Sequence, residues 1–158
     1  MLGSFAVGKT SLVQQYVNSI FSEKYLTTIG VKIDQKNIEF DQQEITLVLW
    51  DIHGDDDFQK IPMAYLKGSS GYLLVMDGTR PHTLDVMLQI KQLSDQAIGN
   101  DIPFLVLVNK ADLSDEWSFT SEHEKQIIET GGTFILTSAK SGQGVEEAFY
   151  QLTKLMMK

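Results

Sequence analysis

The chain has 158 residues, 42% of them hydrophobic and 22% charged, and its 21 Asp and Glu against 13 Lys and Arg give a net charge of −8. Its length suits a single domain, residues 1–158, able to bury about two-thirds of the surface of the unfolded chain. The acidic balance argues against a general nucleic-acid binder. The lack of cysteine leaves no disulfide, thiolate metal site or prenyl acceptor, and no apolar run reaches membrane-spanning length. A cytoplasmic protein without a membrane anchor is expected.

Only Met1 and Leu2 precede Gly3-Ser-Phe-Ala-Val-Gly-Lys9-Thr10, which reads G-x-x-x-x-G-K-[ST]. Gly3 and Gly8 can take backbone angles that a Cβ disfavours, so successive N–H groups can curl around a phosphate. Lys9 supplies a charge for the β- and γ-phosphates and Thr10 a hydroxyl for Mg²⁺. Leu12, Val13, Tyr16, Val17 and Ile20 follow at helical spacing, so the loop opens a helix whose N-terminus faces the anion. A phosphate loop normally follows a buried strand, and here the first strand is expected to be truncated.

Phe21 to Thr28 is polar and unpatterned. Val31–Phe40 and Ile45–Ile52 read as strands joined by Asp41-Gln42-Gln43, an antiparallel hairpin. The second strand ends in Asp51-Ile52-His53-Gly54, and from there to Phe58 the chain is acidic and unpatterned, before a short helix from Ile61 to Lys67 stopped by Gly68. From there strands and helices alternate: strand Tyr72–Asp77, helix from Thr83 to about Ile98, strand Phe104–Asn109, helix Ser121–Thr130, strand Thr133–Ser138 and helix Val145–Met157. Runs such as Phe104-Leu-Val-Leu-Val108 suit strands covered on both faces. The alternation predicts βαβ crossovers and a doubly wound α/β sheet, mostly parallel with one antiparallel edge strand. Ligands in such sheets bind at the carboxyl ends of the strands.

The remaining polar clusters fall at those ends. Asp51 and Gly54 make D-x-x-G, a carboxylate for the water shell of a phosphate-bound Mg²⁺ and an N–H for a terminal phosphate. Asn109-Lys110-Ala111-Asp112 offers a carboxylate that can accept from N1–H and the N2 amino group of guanine, whereas adenine would leave it unpaired. Ser138-Ala139-Lys140 can complete a base pocket with backbone amides and a lysine stem. Thr28-Ile29-Gly30 carries a hydroxyl able to reach Mg²⁺ and a γ-phosphate.

In this order, G-x-x-x-x-G-K-T, T-I-G, W-D-x-x-G, N-K-x-D and S-A-K resemble the Ras superfamily of small GTPases over nearly the whole chain. Thr28-Ile-Gly-Val and Leu49-Trp50-Asp51 are most similar to the Rab group or its prokaryotic relatives. The resemblance implies a P-loop NTPase fold and a switch that binds GTP or GDP with Mg²⁺. Phe5, Ala6, Val7, Gly8, Lys9, Thr10 and Ser11 would cradle phosphate. Thr10 and Thr28 would ligate Mg²⁺ with Asp51 helping through water, and Lys9, Gly54 and Asp55 would serve hydrolysis. Asn109, Lys110, Asp112, Ser138, Ala139 and Lys140 would hold the base. Phe21 lies where the family places an aromatic ring against guanine; the other reading is a core residue at the helix end. Phe21–Ile29 and Gly54 to about Lys67 resemble the two switches that an effector protein reads, and an exchange factor and an activating protein are implied with them.

Two positions depart from that pattern. Family members that hydrolyse GTP well carry glutamine after the D-x-x-G glycine, and here Asp55 stands there, followed by Asp56 and Asp57. A carboxylate accepts but does not donate, and it carries charge toward the γ-phosphate. Phe5 replaces a small P-loop residue and crowds the space where a water-orienting side chain or an arginine finger packs. Slow hydrolysis is expected. Two alternatives stay open: a pseudo-GTPase scaffold that binds nucleotide without switching, and a P-loop kinase, against which the N-K-x-D motif speaks. His53 can position water or be a loop histidine, and His82 and His123 read as helix-surface residues.

Overall fold

A computed structural model describes residues 1–22, 30–52 and 63–158. In chain order these form β1 (Leu2–Gly3), α1 (Lys9–Asn18), β2 (Val31–Phe40), β3 (Gln43–Ile52), β4 (Tyr72–Asp77), α2 (His82–Ile98), β5 (Phe104–Asn109), α3 (Ser121–Glu129), β6 (Phe134–Leu136) and α4 (Val145–Met156). Strands β1, β4, β5 and β6 make a parallel sheet in the order β1-β4-β5-β6, while β2 and β3 pair antiparallel. The fold is the expected α/β class.

Strand alternation builds two cores. Leu73, Val75, Leu105 and Leu107 point to one face and join Leu12, Val13 and Tyr16 of α1 with Ala148, Phe149 and Leu152 of α4. Leu74, Met76, Val106 and Val108 point to the other face and join Leu84, Met87 and Ile90 of α2 and Ile127 of α3. Both faces of β4 are therefore buried along its whole length, which is why it reads as an unbroken apolar run.

Pairing of β1 with β4 places the phosphate loop. Leu2 lies opposite Leu74 and Gly3 opposite Val75, and a Cβ on Gly3 would stand 2.3 Å from the Val75 carbonyl oxygen. The Met1 nitrogen donates to the Trp50 carbonyl, bringing β3 beside β1. A cavity of about 500 Å³ lined by β3, Tyr72, Leu73 and α4 lies at the amino end of β4, away from the strand ends that carry the motifs.

Several boundaries differ from the sequence reading. The helix after the phosphate loop ends at Asn18, because Ser19 turns left-handed (φ 53°) and its N–H bonds to the Gln15 carbonyl; Ile20 thus lies past the helix and is exposed. The hairpin turn is Asp41-Gln42 alone, both at positive φ (47° and 63°), with Phe40 facing Gln43. That mirror-image turn matches the twist of paired strands and extends β3 by two residues. Residues 63–66 form a 3₁₀ turn, and β6 is three residues long. His82 opens α2 at the surface. His123 caps α3 through Nδ1, which accepts from the Thr120 N–H at 3.0 Å.

Candidate nucleotide site

The phosphate loop turns on two left-handed residues, Ala6 (φ 59°) and Gly8 (φ 102°), and Gly8 caps α1. Gly8 has no room for a side chain, since a Cβ would meet Asn109 Nδ2 at 2.3 Å. Lys9 is buried, and its ammonium donates to the carbonyls of Gly3 (3.0 Å) and Ser4 (2.8 Å). That arches the lysine back over its own loop. Val7 is fully buried in the core, which anchors the middle of the loop.

Thr10, in the first turn of α1, donates to Asp51 Oδ2 at 2.6 Å, and Asp51 is fully buried at the end of β3. The structure therefore brings together two of the three residues expected to serve Mg²⁺. Their hard oxygens, one neutral and one anionic, suit that cation. The third, Thr28, lies outside the described residues, as do His53, Gly54, Asp55 and most of both switch-like stretches.

Asn109, the last residue of β5, is the hub. Its Nδ2 donates to the Val7 carbonyl at 2.9 Å, and its Oδ1 accepts from Thr137 Oγ1 and the Ala139 N–H, both at 3.3 Å. One buried side chain thus joins the phosphate loop to the segment after β6. Asp112 lies on the same side: Ser138 Oγ donates to its Oδ1 at 2.6 Å, and the Ser141 N–H in turn fixes Ser138 Oγ at 3.0 Å. The Asp112 carboxylate is exposed, held by one oxygen with acceptor capacity left over. Ser138 thus contributes a hydroxyl that orients Asp112, beyond the backbone amide expected of it. Lys110 sits at positive φ (70°) and pairs with Asp77 at 2.6 Å. Lys140 follows Ala139 on the exposed side of this segment. Phe21 and Phe5 are exposed, at 37% and 40%; for Phe21 that is not the burial a core residue would show.

Asp77 joins this cluster although no motif contains it. It ends β4 fully buried, where Thr79 donates to Oδ1 through N–H (2.9 Å) and hydroxyl (2.7 Å). Oδ2 accepts from Arg80 Nε at 2.8 Å and pairs with Lys110. The signal was a carboxylate closing an otherwise apolar strand. Burial by itself raises its pKa, but hydrogen bonds from Lys110, Thr79 and Arg80 outweigh it and hold the carboxyl below the usual aspartate range. A depressed folded value means that the cluster stabilises fully above the unfolded pKa and is lost as pH falls through the folded one. Asp77→Asn is therefore expected to lower stability by about 2 kcal/mol near neutrality, the scale of hydrogen bonds to a charged group. In urea titrations under one fixed nucleotide condition, the gap from the native chain should stay constant between about pH 8 and 5 and close below about pH 4. A gap that persists at low pH would show that packing, not charge, is lost.

A glycine-rich loop opening α1, the Thr10–Asp51 oxygen pair and the polar segments that follow β5 and β6 all gather on the carboxyl side of the sheet, the arrangement of a P-loop fold. The model of the Ras family matches residues 1–158. The chain is 35% identical to the Ras-related protein Rab-8B of Homo sapiens over 99% of its own length and 76% of that protein. It is 33% identical to the Ras-related protein Rab-8 of Diplobatis ommata, with 99% and 75% covered, and 33% identical to Rab-8A of Bos taurus, with 98% and 75% covered. The chain belongs to the Ras family and is a Rab-like, GTP-binding small GTPase. Among the described residues no helix is long and apolar enough to cross a membrane.

Proposed function

We propose that the chain, as a single G domain over 1–158, binds GTP and GDP with Mg²⁺ as a molecular switch and hydrolyses GTP slowly. The observation that carries this reading is the reach of Asn109 from Val7 to Ala139, which makes one track from phosphate loop to base loop. Along that track, N–H groups from Ala6 to Ser11 and the α1 N-terminus meet the phosphates, Lys9 turns from its carbonyls to the β- and γ-oxygens, and Asp112 takes the guanine edge. Phe21 covers the face of the base, and Lys110, Ala139 and Lys140 close its pocket.

Thr10 and Thr28 would hold Mg²⁺ directly, with Asp51 acting through water; the bound cation supplies neutralisation of phosphate charge. The Gly54 N–H meets the γ-phosphate, so the two switch stretches are ordered by GTP and released after water attacks the γ-phosphorus to give GDP and phosphate. The exposed apolar side chains Ile33 of β2, Trp50 of β3 and Tyr65 of the second switch-like stretch, the last two with ring centroids 6.0 Å apart, would offer an effector a surface. Exchange and activating proteins would act on the same region.

Equilibrium binding of fluorescent GDP, GTP and ATP with and without Mg²⁺ tests the reading. Both guanine nucleotides should bind at least about a thousandfold more tightly than ATP, and EDTA should weaken them. Equal affinity for ATP would overturn it. The pseudo-GTPase scaffold is the second reading, supported by Phe5 standing exposed on the phosphate loop and by Asp55. Effector binding that ignores which nucleotide is loaded would select it.

A further inference from the structure

Arg80 belongs to none of the motifs, yet it reaches the phosphate loop. Its Nε donates to buried Asp77 Oδ2 at 2.8 Å while one of its terminal nitrogens donates to the Phe5 carbonyl at 3.0 Å. The Arg80 backbone is fixed as well: its N–H bonds to the Asp77 carbonyl at 3.0 Å, and Pro81 follows at the start of α2. We propose that Arg80 is a positioning residue of the phosphate cradle, setting the plane of the Phe5–Ala6 peptide and with it the direction of the Ala6 N–H.

The physical argument starts from the peptide unit. In a trans peptide the C=O and the following N–H point in opposite directions. A donor held on the Phe5 carbonyl therefore turns the Ala6 N–H the other way and resists rotation of the plane. Rotation is a real alternative here, because Ala6 is left-handed at φ 59°, a conformation that costs a residue with a Cβ about 1 kcal/mol. The guanidinium also polarises the peptide, making the Ala6 N–H a stronger donor. A lysine could not do both jobs: the fork of arginine places one N–H on Asp77 and another on Phe5, where an ammonium is a single point. Asp77 pairs with Lys110 as well, so one carboxylate supports the phosphate loop through Arg80 and the base loop through Lys110.

This inference rests on the guanine-nucleotide reading above, and the experiment separates the two. Arg80→Ala and Arg80→Lys are compared with the native chain for GDP affinity, guanine-over-adenine preference, the Ala6 amide ¹H shift and the ³¹P shift of bound GDP. Both variants should lose about tenfold in GDP affinity, with the Ala6 proton moved upfield, the β-phosphate signal shifted and base preference unchanged. Lysine should not rescue. If the native chain binds GDP and the variants match it in affinity and in both spectra, or if lysine restores them, the inference falls and the nucleotide reading stands. Loss of base preference instead would place Arg80 with Lys110 and overturn it too. A native chain that binds no GDP would overturn both.

Discussion

Replacing Asp112 with asparagine is expected to lower GDP affinity by about a thousandfold and to leave the diphosphate of xanthosine as the better ligand. The expectation follows from counting donors and acceptors. Guanine presents two donors on this edge, N1–H and the N2 amino group, and a carboxylate accepts both. Asparagine keeps one acceptor and puts an NH₂ against the N2 amino group, so one contact becomes donor against donor. Xanthine has a carbonyl at C2 and restores the match. Ser138 Oγ, which donates to Asp112 Oδ1 at 2.6 Å, can donate equally to the asparagine carbonyl and so favours the orientation that presents NH₂ to the ligand. Displacement of a fluorescent diphosphate by GDP and by its xanthosine counterpart measures both numbers. An Asp112→Asn chain that keeps its guanine preference would remove Asp112 from the base pocket.

The inner strands and the motifs were legible in sequence because burial leaves little choice. An apolar run such as Tyr72–Met76 suits a strand covered on both faces, and the left-handed φ of Gly8 beside Asn109 leaves glycine as the residue that fits. What composition and spacing missed are interactions across the fold. Arg80 looks like a loop charge until β4 and the phosphate loop lie side by side, and Ser138 looks like a strand end until its hydroxyl meets Asp112. The end of α1 escaped because Ile20 continues the apolar period although Ser19 breaks the backbone. The hairpin turn was shortened by Asp41 and Gln42 both adopting positive φ, which polar residues rarely advertise. The N-K-x-D motif does not announce that Asn109 also ties loops together within the protein.

Asp55→Gln is expected to raise single-turnover GTP hydrolysis by ten- to a hundredfold, about 1.4 to 2.7 kcal/mol of barrier. Asp55 follows the D-x-x-G glycine and is succeeded by two further aspartates, and in the proposed switch this acidic segment would carry negative charge toward the γ-phosphoryl oxygens. At an effective dielectric constant near 20, one like charge at about 4 Å costs about 4 kcal/mol before solvent screening, enough to keep the carboxylate away from the attacking water. Glutamine removes that repulsion and adds a donor, so the same side chain can accept from water and give to phosphate. Phe5 is expected to limit the gain, because its ring on the phosphate loop, exposed in the native chain, would take space that a water-orienting side chain needs, and Asp55→Gln combined with Phe5→Gly should exceed either change alone. The two effects should be more than additive in barrier, because glutamine can adopt its working position only where the ring has gone. If the native chain instead hydrolyses GTP within minutes and Asp55→Gln slows it, the carboxylate is acting as a base toward water, and the slow-switch reading fails while guanine-nucleotide binding stands.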